Sequence, residues 1–254
     1  MENKLLLSLT AGAFISGAAG YLGSLMLSKR MVLVAGPLGH LTLPGIALAL
    51  LYGFNMSLGA APFVFLGIIS IWLLELRTKL PMESLTAVVF ASGVAIAFLF
   101  LPIDQAEAAL VGDITKINFL ETSISVAVAL SLSFIVKIIY PKMVLINISE
   151  DLAQSESINV KKYNLIYLFL IAIIVSLGVK VVGGLLTAAL VAIPAASARN
   201  LSRNLSQYVF GSTIIGVISS FGGIFLFKLT GLPSGPLIIL VSTTIFLGSL
   251  FFKK

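Results

Sequence analysis

The 254-residue sequence has no cysteine, which excludes disulfides, thiolate metal sites and thiol catalysis. It has one histidine, His40, so a single copy cannot build a multi-histidine zinc or haem site. Charge is scarce, at 10% of positions against about 25% in a soluble domain. The acids are scattered over loops and segment ends, with no close pair suited to acid–base work. No G-x-x-x-x-G-K-[ST] loop occurs, so the chain lacks that means of holding a nucleotide. These absences leave no catalytic residue and no bound cofactor to expect.

Apolar sequence is abundant. Hydrophobic residues fill 59% of positions and the mean hydropathy is +1.12. A bilayer core of roughly 30 Å takes about 20 apolar residues per helix. Such runs recur near 5–27, 31–54, 58–76, 82–101, 119–140, 163–178, 181–198, 206–227 and 234–252. The expected fold is therefore all-α: a polytopic transmembrane helical bundle of about nine spans, forming one membrane domain over residues 1–254. Eight spans remain if 163–198 holds one crossing and a re-entrant piece. The run Leu5–Leu27 is too long for a signal-peptide core and is followed by Lys29, Arg30 and further spans, so it reads as a retained helix.

The net charge of +6 is not a nucleic-acid signature, because the basic residues sit singly or in pairs between apolar runs. They record orientation instead. With the N-terminus outside and the C-terminus inside, Lys29, Arg30, Arg77, Lys79, Lys137, Lys142, Lys161, Lys162, Arg199, Arg203, Lys253 and Lys254 lie inside. Only Lys4, Lys116, Lys180 and Lys228 remain outside.

Local chemistry marks the helix ends. Asn118 and Glu121 form a capping-box pattern, and Pro81 and Glu83 suit the first turn of the fourth span. Small residues four apart, as in Ala13/Gly17, Ala19/Gly23, Ser212/Gly216 and Ser219/Gly223, suit close helix packing in lipid. Trp72 and Tyr140 read as interfacial anchors. The inner loop 141–162 has room for a short helix around Glu150, Asp151, Leu152 and Ala153. The outer loop 102–118 carries Asp113, a candidate for the outer vestibule.

The most informative segment runs from Ala35 to Gly45. Pro37 and Pro44, with Gly36, Gly39 and Gly45 beside them, interrupt an apolar run. Irregular backbone at membrane depth is tolerated only where protein buries it or it lines a cavity, and such discontinuous helices often line transport sites. His40 lies between the two prolines, and an ionisable residue inside a span suggests function. From the residues alone, a ligand and a brace for the broken helix are both open.

Six segments, in order and at matching spacing, resemble the membrane subunits of bacterial ABC importers for zinc, manganese and iron. Arg30 through Gly45 is similar to the family's "RRM…GDALSHAxLPG". Glu83 through Gly93 matches a second stretch at Phe90, Ser92 and Gly93. Gly112, Asp113 and Ile114 resemble "LFGDIL", and Asp151, Leu152 and Ala153 fall in "DPELA". Val182 through Arg199 is similar to "VGxLLxxALLxIPAAxAR", and residues 232–236 read "LPSGP". The resemblance implies a permease in the plasma membrane, acting as a homodimer with a cytoplasmic ATPase subunit and an external binding protein. It implies that His40 is a transient metal ligand and that Glu150–Ala153 docks the ATPase. Two departures stand out: Gly36 occupies the place of the family's aspartate, and Ser157 that of a glycine. The missing acid leaves open a permease for a metal chelate or another small solute, and an ion-coupled secondary transporter is the reading from another class.

Overall fold

The computed structural model describes residues 2–28, 37–78, 80, 82–100, 112, 114, 117–184 and 186–252. Their regular structure is helical, with no strand among them. The order is α1 (Glu2–Ser28), a turn of helix at 37–40, α2 (Leu43–Tyr52), α3 (Met56–Thr78), α4 (Met82–Phe100) and α5 (Phe119–Ile148). It continues through α6 (Glu150–Ser155), α7 (Val160–Val182), α8 (Thr187–Leu201), α9 (Leu205–Thr230) and α10 (Ser234–Leu250). Among the described residues, five helices (α1, α3, α5, α7 and α9) are long and apolar enough to cross a bilayer; α10 and the Ser84–Ala95 part of α4 are shorter apolar pieces.

Burial sorts the long helices. The apolar windows of α1 and α7 are 61% and 67% buried, whereas those of α3 and α5 are only 33% buried. Helices α1 and α7 therefore form the bundle's interior, and α3 and α5 lean on it from outside. In lipid the apolar effect does not separate a helix neighbour from an acyl chain, so close backbone approach carries the packing. A β-carbon on Gly20 would strike the carbonyl of Ser212, and one on Gly216 the carbonyl of Ser16, so α1 and α9 touch backbone to backbone. Gly23 meets α8 at the Val191 carbonyl, and Gly223 lies against Ile238 of α10. The small-residue spacing of the sequence has become helix crossings. Helices α2 and α3 cross in the same way at Gly45 and Gly59, each closed against the other's carbonyl.

Helix ends follow the sequence chemistry. The Asn118 side chain accepts from Glu121 N at 2.8 Å and Glu121 Oε2 accepts from Asn118 N at 3.2 Å, completing the capping box. Ser149 caps α6 by accepting from Leu152 N.

Three expectations need correction. Helix α5 does not stop at Tyr140; it passes through Pro141 to Ile148. Proline removes one helical hydrogen bond, and burial of Met143 and Ile146 beyond it holds the helix. Helix α7 likewise runs through Gly178 to Val182, so the connection expected at 178–182 falls after Val182 and before Thr187. Tyr140 is no interfacial anchor. It is 7% exposed, stacks on Tyr21 at 6.0 Å and hydrogen-bonds Ser24 Oγ at 3.2 Å. The fourth span's Pro81 lies outside the described residues, whereas Trp72 is half-buried against the core.

Candidate functional site

The interruption predicted between Pro37 and Pro44 is present. A helical turn over 37–40 closes with Leu41 N donating to the Pro37 carbonyl at 3.2 Å, and Thr42 N then donates to the Gly39 carbonyl at 3.3 Å. The chain re-enters helix at Leu43, with Pro44 in the first turn, where its missing N–H is tolerated. Residue 44 is the one whose N–H a continuous helix would direct at the carbonyl of residue 40. Proline has none to give, so the same residue supplies an imidazole and a carbonyl deprived of its helical donor.

Surrounding glycines hold this break. The side chain of Leu41, 4% exposed, lies where β-carbons on Gly67 of α3 and Gly93 of α4 would be. Thr42 is fully buried and its hydroxyl donates to the Gly39 carbonyl. His40 is half-buried, with its ring 5.3 Å from that of Phe90 on α4 and tilted by 44°.

A second break faces the first. Helix α7 ends at Gly183, whose φ of 86° and ψ of 165° are suited to glycine alone. There Gly183 N donates to the Val179 carbonyl at 2.8 Å, and the buried Thr187 hydroxyl donates to the Gly183 carbonyl at 2.7 Å. A β-carbon on Gly39 would sit 2.5 Å from the Gly184 carbonyl oxygen. Gly112 and Gly235 close on the same connection, at Gly183 N and at Val182. Three distant segments thus press glycine backbone onto one interrupted helix.

At the approach to this second break, Lys180 of α7 makes a salt bridge to Glu121 of α5. Asn55, between α2 and α3, donates to the other oxygen of the same carboxylate. The ends of three helices are tied by one acid that the sequence presents only as a helix cap.

Among the described residues no cluster of three His, Cys, Asp or Glu side chains could hold a metal ion. Zinc sites ordinarily take three or four ligands, and the described side chains offer no such cage.

The predicted residues separate accordingly. Pro37, Gly39, His40 and Pro44 come together at the break, and Gly45 serves the α2–α3 crossing. Gly36 and Asp113 lie outside the described residues. The neighbours of Asp113 are not solvated: Gly112 is buried and Ile114 is 0% exposed, its carbonyl accepting from Ser8 Oγ at 3.1 Å. At the far loop, Glu150, Asp151 and Leu152 are exposed on α6 while Ala153 is buried. Sequence reasoning missed Gly183, Gly184, Thr187 and the Glu121–Lys180 pair. One signal was available: a glycine followed by a threonine three or four residues later occurs in both breaks, at Gly39/Thr42 and Gly183/Thr187.

An all-helical bundle in which five described helices are long and apolar enough to cross a bilayer, with two helix breaks packed together, is that of a multi-pass membrane protein. Residues 1–253 match the ABC 3 transport family, and the chain belongs to that family. It is 23% identical to the manganese transport system membrane protein MntC of Listeria monocytogenes, covering 100% of this chain and 94% of the relative. It is 27% identical to the high-affinity zinc uptake system membrane protein ZnuB of Haemophilus influenzae, covering 97% of each. The fold is similar to a chain in the structure of PsaBC from Streptococcus pneumoniae in complex with Fab. There the TM-score is 0.83 at 22% identity, over 96% of this chain and 90% of that one. The resemblance read from the six segments is borne out.

Proposed function

We propose that this chain is the membrane-spanning permease subunit of an ATP-driven importer of divalent transition metal ions in the plasma membrane. The observation that carries the proposal is the family match over residues 1–253, with relatives named for manganese and zinc transport. Two copies form the pathway, with the broken helices near its axis. An external binding protein delivers the ion, and a cytoplasmic ATPase subunit drives the cycle, because the chain has no phosphate loop of its own.

In this reading the chain crosses the membrane nine times, from an outer N-terminus to an inner C-terminus. The pairing of helix ends supports it. Asn55, Glu121 and Lys180 meet at one end, as do Ser8 and Ile114, and the nine-crossing order puts all five in outer connections or at the outer ends of spans. Asn200 donates to Ser249 Oγ at 2.9 Å, and that order puts both inside. His40 is the transient ligand: imidazole nitrogen suits zinc and iron, and carbonyl oxygen suits manganese. Helix α6 docks the ATPase through exposed Leu152 and its acids, while buried Ala153 ties it to the bundle.

Uptake of radioactive zinc and manganese by vesicles containing permease, ATPase and binding protein tests this. At limiting metal, His40→Ala should lower initial uptake by about tenfold or more, as expected for loss of one ligand contact, with insertion unchanged. Leu152→Arg should abolish both uptake and copurification of the ATPase. Wild-type transport of both metals by His40→Ala would reduce the imidazole to a brace, and wild-type behaviour of Leu152→Arg would remove α6 from the coupling. Supplying the metal as a chelate in the same assay separates the second reading, favoured by Gly36 in place of an acid.

A further inference from the structure

Two open clefts, each of about 410 Å³, adjoin where α8 passes into α9. They share Ser202 and Arg203. The first is faced by Arg199, Arg203 and Asn204. The second runs from Arg203 and Gln207 down to Gly211 and Ile215. Neither arginine pairs with an acid among the described residues, and both are exposed. The neighbouring polar groups are already engaged. Asn204 Oδ1 accepts from Gln207 N at 2.8 Å, Gln207 Oε1 accepts from Arg203 N at 3.0 Å, and Ser202 Oγ donates to the Ala198 carbonyl at 2.6 Å. Two guanidinium groups are left facing the mouth without a counter-charge among the described residues, beside the positive end of a 26-residue helix.

Below the mouth the groove becomes apolar. Its open apolar wall is Leu201, 45% exposed, and Ala198 and Ile215, 1% and 7% exposed, lie at its base. Gly211 forms the floor: a β-carbon there would come within 3.3 Å of the Ala198 β-carbon. Eight residues separate Gln207 from Ile215, about 12 Å along α9. The surface is thus cationic at one end and apolar along the helix below, in a chain that spans a bilayer. A ligand filling both parts is anionic and amphipathic.

We infer that this groove binds one anionic phospholipid of the surrounding bilayer. Its phosphodiester is held by Arg199 and Arg203, and one acyl chain lies along α9 past Gly211 to Ile215. Guanidinium matches phosphate oxygen in paired hydrogen bonds, and basic clusters at headgroup depth select anionic lipid. A free phosphate would leave the apolar half unfilled. The inference requires only that this end of the bundle lie at a headgroup layer, and it does not depend on the cargo.

The test is native mass spectrometry of the full chain in uncharged detergent, titrated with dioleoyl phosphatidylglycerol, dioleoyl phosphatidylcholine or glycerol phosphate. Phosphatidylglycerol should bind roughly 30-fold more tightly than phosphatidylcholine, as two basic side chains at headgroup depth predict. The double variant Arg199→Gln/Arg203→Gln should lose that preference while melting like wild type, and Arg199→Lys/Arg203→Lys should keep most of it. Equal binding of the two lipids, or an unaffected Gln variant, overturns the proposal. Glycerol phosphate binding as well as the lipid overturns the acyl groove. If adding the ATPase subunit expels phosphatidylglycerol and shields Arg203 from arginine-directed labelling, the groove is a protein interface and the lipid assignment fails.

Discussion

The breaks at 41–42 and 183–184 solve the same problem with different chemistry. Each interrupts a helix in apolar surroundings, each frees backbone groups, and each uses a buried threonine hydroxyl to satisfy a glycine carbonyl upstream. The first is made by proline and carries an imidazole. The second is made by a glycine in a conformation other residues avoid and carries no ionisable side chain among its described residues. They press together, Gly39 on the Gly184 carbonyl. A proline break is stiff, because its φ is fixed in both folded and unfolded chains. A glycine break is set by what surrounds it, which here means the packing of Gly39, Gly112 and Gly235 and the Thr187 hydroxyl bond. The chemically equipped break therefore rests against the more deformable one.

The most damaging way to test that contact is Gly39→Val. Its β-carbon would lie 2.5 Å from a backbone oxygen that cannot rotate away. Overpacking of this kind costs about 1–3 kcal/mol, occasionally more, and the upper end is expected here. Thermal unfolding of the purified chain should show the loss together with lost uptake, in contrast to His40→Ala, which should lose uptake alone. A Gly39→Val protein with wild-type melting and transport would mean that the two breaks do not bear on each other.

A smaller effect is expected at the approach to the second break. The Lys180 and Glu121 side chains are 12% and 20% exposed. Breaking a fully buried pair costs about 3–5 kcal/mol. Lys180→Met should cost about 2 kcal/mol, since Glu121 keeps some water and its bonds to Asn55 and Asn118. The double variant Lys180→Met/Glu121→Gln should recover part of that loss, which a double-mutant cycle measures directly. Equal stability of all three proteins would show that the second break needs no anchor beyond its glycines.

The sequence made one break legible and hid the other for a physical reason. Proline announces an interruption wherever it falls, so Pro37 and Pro44 could be read without a structure. Gly183 and Gly184 lie between two apolar runs, where glycine is equally compatible with a loop, a helix or a crossing. The partnership of Glu121 with Asn55 and Lys180 joins residues 66 and 59 positions apart, beyond any local periodicity. Local chemistry was read well: the Asn118 cap, the short helix at Glu150, and the small-residue stripes of α1 and α9. Ser157, singled out because the family pattern that the sequence resembles has glycine there, has a φ of 59°, the left-handed region that favours glycine. Pro141 shows the opposite failure, a breaker overridden by packing on both sides.

The finest test of the comparison lies in the two threonines. Both are fully buried, and valine keeps their shape while removing the hydroxyl. At the first break the Gly39 carbonyl would still accept from Thr42 N at 3.3 Å, so Thr42→Val removes one of two bonds. A single hydrogen bond contributes about 0.5–1.5 kcal/mol net, and the lower half of that range is expected. At the second break the Thr187 hydroxyl is the hydrogen bond that reaches the Gly183 carbonyl from the described residues. Thr187→Val leaves a buried acceptor unsatisfied, which costs about 1–3 kcal/mol, and about 1.5 kcal/mol is expected. Unfolding of both variants under one condition should therefore rank Thr187→Val below Thr42→Val. The reverse order would mean that the proline break, not the glycine break, depends more on its hydroxyl, and the contrast between a stiff break and a held one would be inverted.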